Sequence, residues 1–204
     1  MTIAEIVGIY AAIIATILLI KEIHLIISNK PKILVNSVHP AYQWFFILPS
    51  GKHQKNITRK YGFLAYISLK NRGKRAVSLE SWHLYLKTTG AHWVELPPIS
   101  IPEPQIELGK SGHLKICPVL GQKGPYSQGN VTLKPGDIIS GFVYYVAGFY
   151  GDRIWNPLIK DGKAHGKIIV QNVFGNKSDV KILFTKISLE KARKIVDNID
   201  KIDL

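Results

Sequence analysis

Seven histidines, a single cysteine and fourteen carboxylates are the groups in this chain that could do acid–base, nucleophilic or metal chemistry. A catalytic site needs several such groups converging in one pocket. The spacings that announce convergence are missing. There is no Gly-x-Ser-x-Gly elbow, no Gly-rich phosphate loop ending in Lys-Ser/Thr and no His-Glu-x-x-His pair. The histidines are scattered, and Glu80, Glu95, Glu103, Glu107, Asp137, Asp152, Asp161 and Asp179 fall mostly at turns. Cys117 lies in the apolar run LKICPV, where it reads as a small buried hydrophobe. No catalytic residue, metal ligand or cofactor is expected, and the chain reads as a non-enzyme.

Recognition chemistry is better represented. Phe149-Tyr150-Gly151-Asp152-Arg153-Ile154-Trp155 reads as a loop after a strand. Aromatic rings beside an arginine are the composition of binding hot spots. Phe149, Tyr150, Arg153 and Trp155 are therefore candidate contacts. The competing reading has Tyr150 and Trp155 plugging one end of the domain. Arg72, Lys74 and Arg75, in the turn Asn71–Arg75, are a second candidate set. Their plain alternative is a solvated turn. Trp93, beside a proline-rich segment, is also hard to place in a core.

The elements that would position these groups are mostly strands. Ile33–Val38 and Tyr42–Leu48 are short apolar runs, and Tyr61–Lys70 alternates with Tyr61, Phe63, Ala65, Ile67 and Leu69 on one face. Ala76–Leu86 changes phase: Val77 and Leu79 share one parity, Trp82, Leu84 and Leu86 the other. A bulge near Glu80–Ser81 reconciles them. Pro97, Pro98, Pro102 and Pro104 exclude a helix. Leu114–Val119 is a strand, and Gly121–Gly129 is a loop. Lys134-Pro135-Gly136-Asp137 is a type II turn between Val131–Leu133 and the strand Ile138–Val146. Asp152–Gly166 is a loop. Lys167–Phe174 and Asp179–Lys186 form a hairpin. A terminal amphipathic helix spans Leu189–Ile202 with Ser188 as its N-cap, and its apolar stripe is expected to dock on protein. Many short strands without βαβ spacing argue for an antiparallel sandwich.

Before all of this stands IAEIVGIYAAIIATILLIKEIHLII, residues 3–27. A helix over Ile3–Ile20 is about 27 Å long, close to the roughly 30 Å hydrocarbon core of a bilayer. A cleaved signal would need a basic start and a small-residue cleavage site, and neither is present. A buried core helix would need a larger wrapping domain. The expected organisation is a transmembrane anchor over 1–28, a β domain over 29–187 and the amphipathic helix over 188–204. Lys21, Lys30 and Lys32 on the C-terminal flank place the domain in the cytoplasm by the positive-inside rule.

The net charge is +13. Next to an anchor, that excess suits an anionic leaflet better than a nucleic acid, for which no specific binding is expected. The tightest basic stretches are Lys52–Lys60 and Lys70–Arg75. One cysteine permits no internal disulfide, which fits a reducing compartment. The Asn-x-Ser/Thr triplets at Asn56, Asn130 and Asn176 carry no meaning there.

The strand–turn–strand Tyr66–Leu79 with its Asn-x-Gly-x-Arg turn, the Leu133–Asp137 turn and the Val173–Asn176 hairpin together are similar to small, poorly characterised bacterial membrane proteins. Those carry one N-terminal helix and an immunoglobulin-like domain; Ala76 stands where they often have Pro. The resemblance implies a mainly β fold: an immunoglobulin-like antiparallel β-sandwich after one transmembrane helix. It implies no catalytic residues. The expected function is a membrane-anchored binding or scaffolding module facing the cytoplasm. Its expected partners are the lipid bilayer, a protein partner or a second copy (through the small pair Gly8 and Ala12), and an anionic lipid. The alternatives are a membrane effector sensing a small anionic ligand such as a nucleotide, and an enzyme on a sandwich scaffold.

Overall fold

The computed structural model describes residues 2–49, 57–108, 113–124, 127–128, 131–150 and 153–201. Lys52, Lys55, Asn56, Asn130 and Asp152 lie outside the described residues.

The first helix, α1 (Ile3–Ser28), opens with a capping box. The Thr2 N–H donates to Glu5 Oε2 at 2.7 Å, and the Glu5 N–H donates to Thr2 Oγ1 at 3.4 Å. The Asn29 N–H closes the last turn on the Leu25 carbonyl. Ile3–Ile27 is long and apolar enough to cross a membrane, and none of it is buried against the rest of the chain.

The strands follow as β1 (Ile33–Ser37), β2 (Gln43–Leu48), β3 (Ile57–Asn71), β4 (Val77–Lys87), β5 (Trp93–Leu96), β6 (Gln105–Leu108), β7 (His113–Ile116), β8 (Gln122–Gly124) and β9 (Ser127–Gln128). After them come β10 (Val131–Leu133), β11 (Ile138–Tyr150), β12 (Ile159–Lys160), β13 (Lys163–Asn172), β14 (Lys177–Lys186) and a short helix α2 (Leu189–Ile195).

Two separate antiparallel sheets are the sequence expectation. The described strands instead form one curled ten-stranded sheet, with β6–β7 and β8–β9 as small ribbons beside it. One edge of β3 pairs with β11 along nearly its whole length; the other edge takes β2 and then β1 in tandem. The second half runs β14–β13–β4, with β5 and β10 both on β4. A short parallel pairing joins the halves, Thr185 beside Trp44 and Lys186 beside Phe45.

The curl brings the inner faces together. Phe45, Phe63, Ile67 and Leu69 from one half meet Leu84, Leu86, Ile168 and Phe184 from the other in one buried cluster. Phe63 and Phe184 pack edge to face at 5.2 Å. The Tyr145 hydroxyl crosses between the halves and donates to the Trp82 carbonyl at 2.9 Å. The alternation read in β3 is realised, with Tyr61, Phe63, Ala65, Ile67 and Leu69 all in this core. The phase change in β4 is also realised. Gln171 pairs with Ser81 and Asn172 with Leu79, which leaves Glu80 as the extra residue. The bulge lets Val77, Leu79, Trp82, Leu84 and Leu86 share one interior.

β2 is buried on both faces except at Ile47, which explains its unbroken aromatic run. Its second face, with Leu64, Phe142 and Tyr144, is covered by Ile101, Ile106 and Cys117 and by Ala192, Ile195, Val196 and Ile199. The terminal stripe therefore docks on protein, as expected, but the helix is shorter than expected. It is capped by Ser188, whose Oγ accepts from the Lys191 N–H, and runs only from Leu189 to Ile195. Val196 is extended and Asn198 turns the chain at φ +52°. That turn returns Ile199 to the same cluster, and the Arg193 guanidinium fastens the turn by donating to Asp200 at 3.1 and 2.7 Å.

Candidate functional site

The end of the sheet at which α1 enters the domain gathers three turns that are far apart in sequence. Ile33 pairs with Asn71, Leu133 with Val77 and Ile138 with Lys70, and Val173 N–H donates to the Ser78 carbonyl at 3.1 Å. The Asn71–Arg75 turn, the Lys134–Asp137 turn and the 173–176 hairpin tip therefore lie side by side, four residues beyond the end of α1.

Asn71 organises this end. It is fully buried, and its Nδ2 donates to the Arg75 carbonyl at 2.7 Å and to the Leu133 carbonyl at 3.1 Å. Its Oδ1 accepts from the Gly73 N–H at 2.9 Å. Its own backbone bonds Asp137 and Gly136 across the gap. Gly136, at φ +84°, sits where a type II turn needs a positive φ. The Arg72 N–H donates to the Lys32 carbonyl at 2.7 Å. Gly73 lies so close to the exit from α1 that a Cβ there would stand 2.5 Å from Lys32 N and 2.6 Å from Lys30 O. The turn is thus packed backbone to backbone on the segment that leaves the helix.

The side chains of this end are basic and apolar. Lys30, Lys32, Arg72, Lys74, Arg75 and Lys134 are all exposed. Among them stand three unprotected apolar residues: Ile138 at 58% exposure, Val173 at 54% and Phe174 at 63%. Asp137 is turned into its own turn, where its Oδ2 accepts the Lys134 N–H at 2.8 Å.

Phe149 and Trp155, two of the Phe149–Trp155 candidates, do not share a surface. β11 continues to Tyr150 because β3 supplies ladder partners that far, with Phe149 beside Arg59. Phe149 is buried and packs its ring against Tyr61; it is a core residue and not a loop contact. Tyr150 ends the strand, and Arg153 begins a 3-10 turn, Arg153–Trp155. Trp155 is exposed and stacks on His92 at 5.2 Å. The segment is laced to the β4–β5 connection, with Gly90 N–H donating to Ile154 O and Thr89 N–H to Asn156 O. Arg72, Lys74 and Arg75 are brought together with the helix exit, at the opposite end of β4.

Two concave surfaces lie elsewhere. One, of about 800 Å³, runs between α2 and the Tyr42–Trp44 segment, with Ile106, Lys191, Lys194 and Ile195 on its walls. The other, of about 570 Å³, lies on the outer face of β4, β13 and β14 beside Trp93.

Acid–base chemistry is sparse. Among the described residues no three His, Cys, Asp or Glu side chains are placed to hold a metal ion. Burial pushes the Cys117 thiol up, against a smaller opposing pull from Lys115. Burial also pushes up the Tyr144 and Tyr145 phenols. The Glu95 carboxyl is held below its ordinary value, first by its hydrogen bond with His83 and next by that with Tyr85.

No family model and no curated protein matches this chain. Among solved structures it is similar to an ApaA protein from Bordetella pertussis, at 16% identity and TM-score 0.30 over 77% of this chain and 94% of that one. It is similar to Spo0M, a sporulation control protein from Bacillus subtilis, at 12% identity and TM-score 0.31 over 76% of this chain and 49% of that one. It is also similar to the archaellum periplasmic stator protein complex FlaF and FlaG from Sulfolobus acidocaldarius, at 17% identity and TM-score 0.22, over 68% of this chain and 87% of that one. At these scores the likeness carries neither a function nor a site residue to this chain.

Proposed function

We propose that this chain is a single-span membrane protein whose β domain is a non-catalytic binding module, seated on anionic headgroups at the cytoplasmic face. One observation carries the reading: Ile138, Val173 and Phe174 are exposed at the end where α1 exits, ringed by Arg72, Lys74, Arg75 and Lys134. Apolar and aromatic tips among lysines and arginines suit the headgroup region, where rings sit at the interface and cations meet phosphate. Each Lys or Arg close to such a surface contributes about 1 kcal/mol of attraction. The packing of Gly73 on Lys30–Lys32 supports a fixed pose, because it holds the basic turn against the helix exit. We also read the curled sheet as related to immunoglobulin-like sandwiches, a view supported by its two halves packing face to face across Tyr145 and Trp82.

The test uses the full chain in lipid nanodiscs. Phe174→Trp, compared with the parent chain, should show added fluorescence that is quenched by brominated phosphatidylserine. Quenching no greater than that of the parent removes the seated pose. A C-terminal tag in intact cells should resist external protease; its cleavage places the domain on the other side.

A further inference from the structure

The outer face of β4, β13 and β14, at the end of the sheet away from α1, carries a cluster of positive charge. Pairing places Lys167 directly opposite Lys181 and Lys160 directly opposite Lys163. Like charges facing each other across strands destabilise a sheet. The fold keeps two such pairs within a few residues.

The pairs border the concavity of about 570 Å³, whose walls carry Lys87, Lys160, Lys167, Lys181 and His165 and no carboxylate. Trp93 forms part of the wall and is 52% exposed. Lys167 Nζ lies 5.9 Å from the centre of its ring, within the range of a cation–π contact. Two carboxylates share this outer face: Glu95, engaged by His83 and Tyr85, and Asp179, two residues from Lys181 on β14 and opposite Ile169. The basic side chains lining the concavity, Lys87, Lys160, Lys167, Lys181 and His165, outnumber these two carboxylates, and the surplus positive charge faces an anion from outside.

We propose that this face binds a nucleoside phosphate, its base stacked on Trp93 and its phosphates held by Lys87, Lys167 and Lys181. The volume lies within the range of small-molecule sites. The lining of the concavity offers one indole as a stacking platform, whereas a nucleic-acid strand is held by successive rings. The site is at the other end of the sheet from the basic turns beside α1, and its occupancy needs no bilayer.

Calorimetry on the full chain in detergent micelles, with ATP, inorganic tripolyphosphate and a twelve-base oligonucleotide, tests it. ATP should bind saturably, at least ~10-fold more tightly than tripolyphosphate, the margin expected of one base–aromatic stack. Trp93→Ala should erase that margin. Lys181→Glu turns a repulsive cross-strand pair into an attractive one, so the fold should hold or gain in Tm while ATP binding falls at least ~10-fold. Absence of saturable ATP binding overturns the proposal. So does equal binding of ATP and tripolyphosphate, or an ATP affinity indifferent to both substitutions. An oligonucleotide that binds far more tightly than ATP overturns it in favour of a strand-binding face.

Discussion

Asn71 carries more of the domain than its place in a turn suggests. Its buried amide satisfies two carbonyls and one N–H, of which the Leu133 carbonyl is enclosed and the other two are partly covered. Asn71→Ala leaves the enclosed Leu133 carbonyl unsatisfied, at a cost of about 1–3 kcal/mol, and loses two partly covered bonds worth about 0.5–1.5 kcal/mol each. We expect a loss of about 3 kcal/mol, read by urea unfolding of the full chain in micelles. Glu95 gives a prediction in pH. Its carboxyl is held low by His83, then by Tyr85. A lowered folded-state value stabilises above the unfolded pKa, and the gain is lost as pH falls through the folded one. Glu95→Gln should therefore lower Tm slightly at pH 7. The two melting curves should converge only as pH falls below the ordinary carboxylate range. At this scale the sequence was legible where a residue type has one use, as with Gly136 or Ser188. It marked Asn71 as a turn residue but not as a buried one, because its link to the Leu133 carbonyl depends on a strand 62 positions away.

Among the elements, β3 and β4 were readable because alternation is a local property, and the phase break at Glu80 could be seen without the partner strand. The end of β11 was not readable. Gly148 and Gly151 mark a loop by composition, but β3 extends far enough to keep pairing through Phe149 and Tyr150. Phe149→Ala separates the two readings: a surface contact would be nearly neutral, whereas a buried ring costs about 3–5 kcal/mol. We expect the larger loss in the same unfolding assay. The terminal helix shows the opposite limit. Its apolar stripe was correct, but Asn198 at φ +52° and the Arg193–Asp200 pair make Ile199 reach the core by a turn and not by a further helical repeat. The lysine-rich outer face had a legible signal in Lys163, His165 and Lys167, which recur at every second position. That signal becomes meaningful only when Trp93 and Lys181 are brought beside it by other strands.

For the molecule as a whole, charge and greasiness are arranged along one axis. α1, Arg72, Lys74 and Arg75 lie at one end, and Trp93 with its lysines lies on the outer face toward the other. Replacing Arg72, Lys74 and Arg75 together by Glu should leave the chain in the membrane fraction, since α1 is untouched. It should also weaken seating on phosphatidylserine, each lost cation removing about 1 kcal/mol and each new anion adding repulsion. The readout is reduced quenching of Trp introduced at Phe174 by brominated lipid. The two-sheet expectation missed the join between the halves, because a parallel pairing of β2 with β14 leaves no mark in local sequence.

That join also bears on how the protein is made. β2 appears well before its partner on that edge, Thr185–Lys186, which emerges some 140 residues later. Until then Trp44 and Phe45 have an open edge. A nascent chain would thus wait, half zipped, for those residues to be translated, at about 5–20 residues per second. Ribosome-stalled chains ending before Lys177 should stay protease-sensitive around β2, and release of the complete polypeptide should close the domain in a single late step.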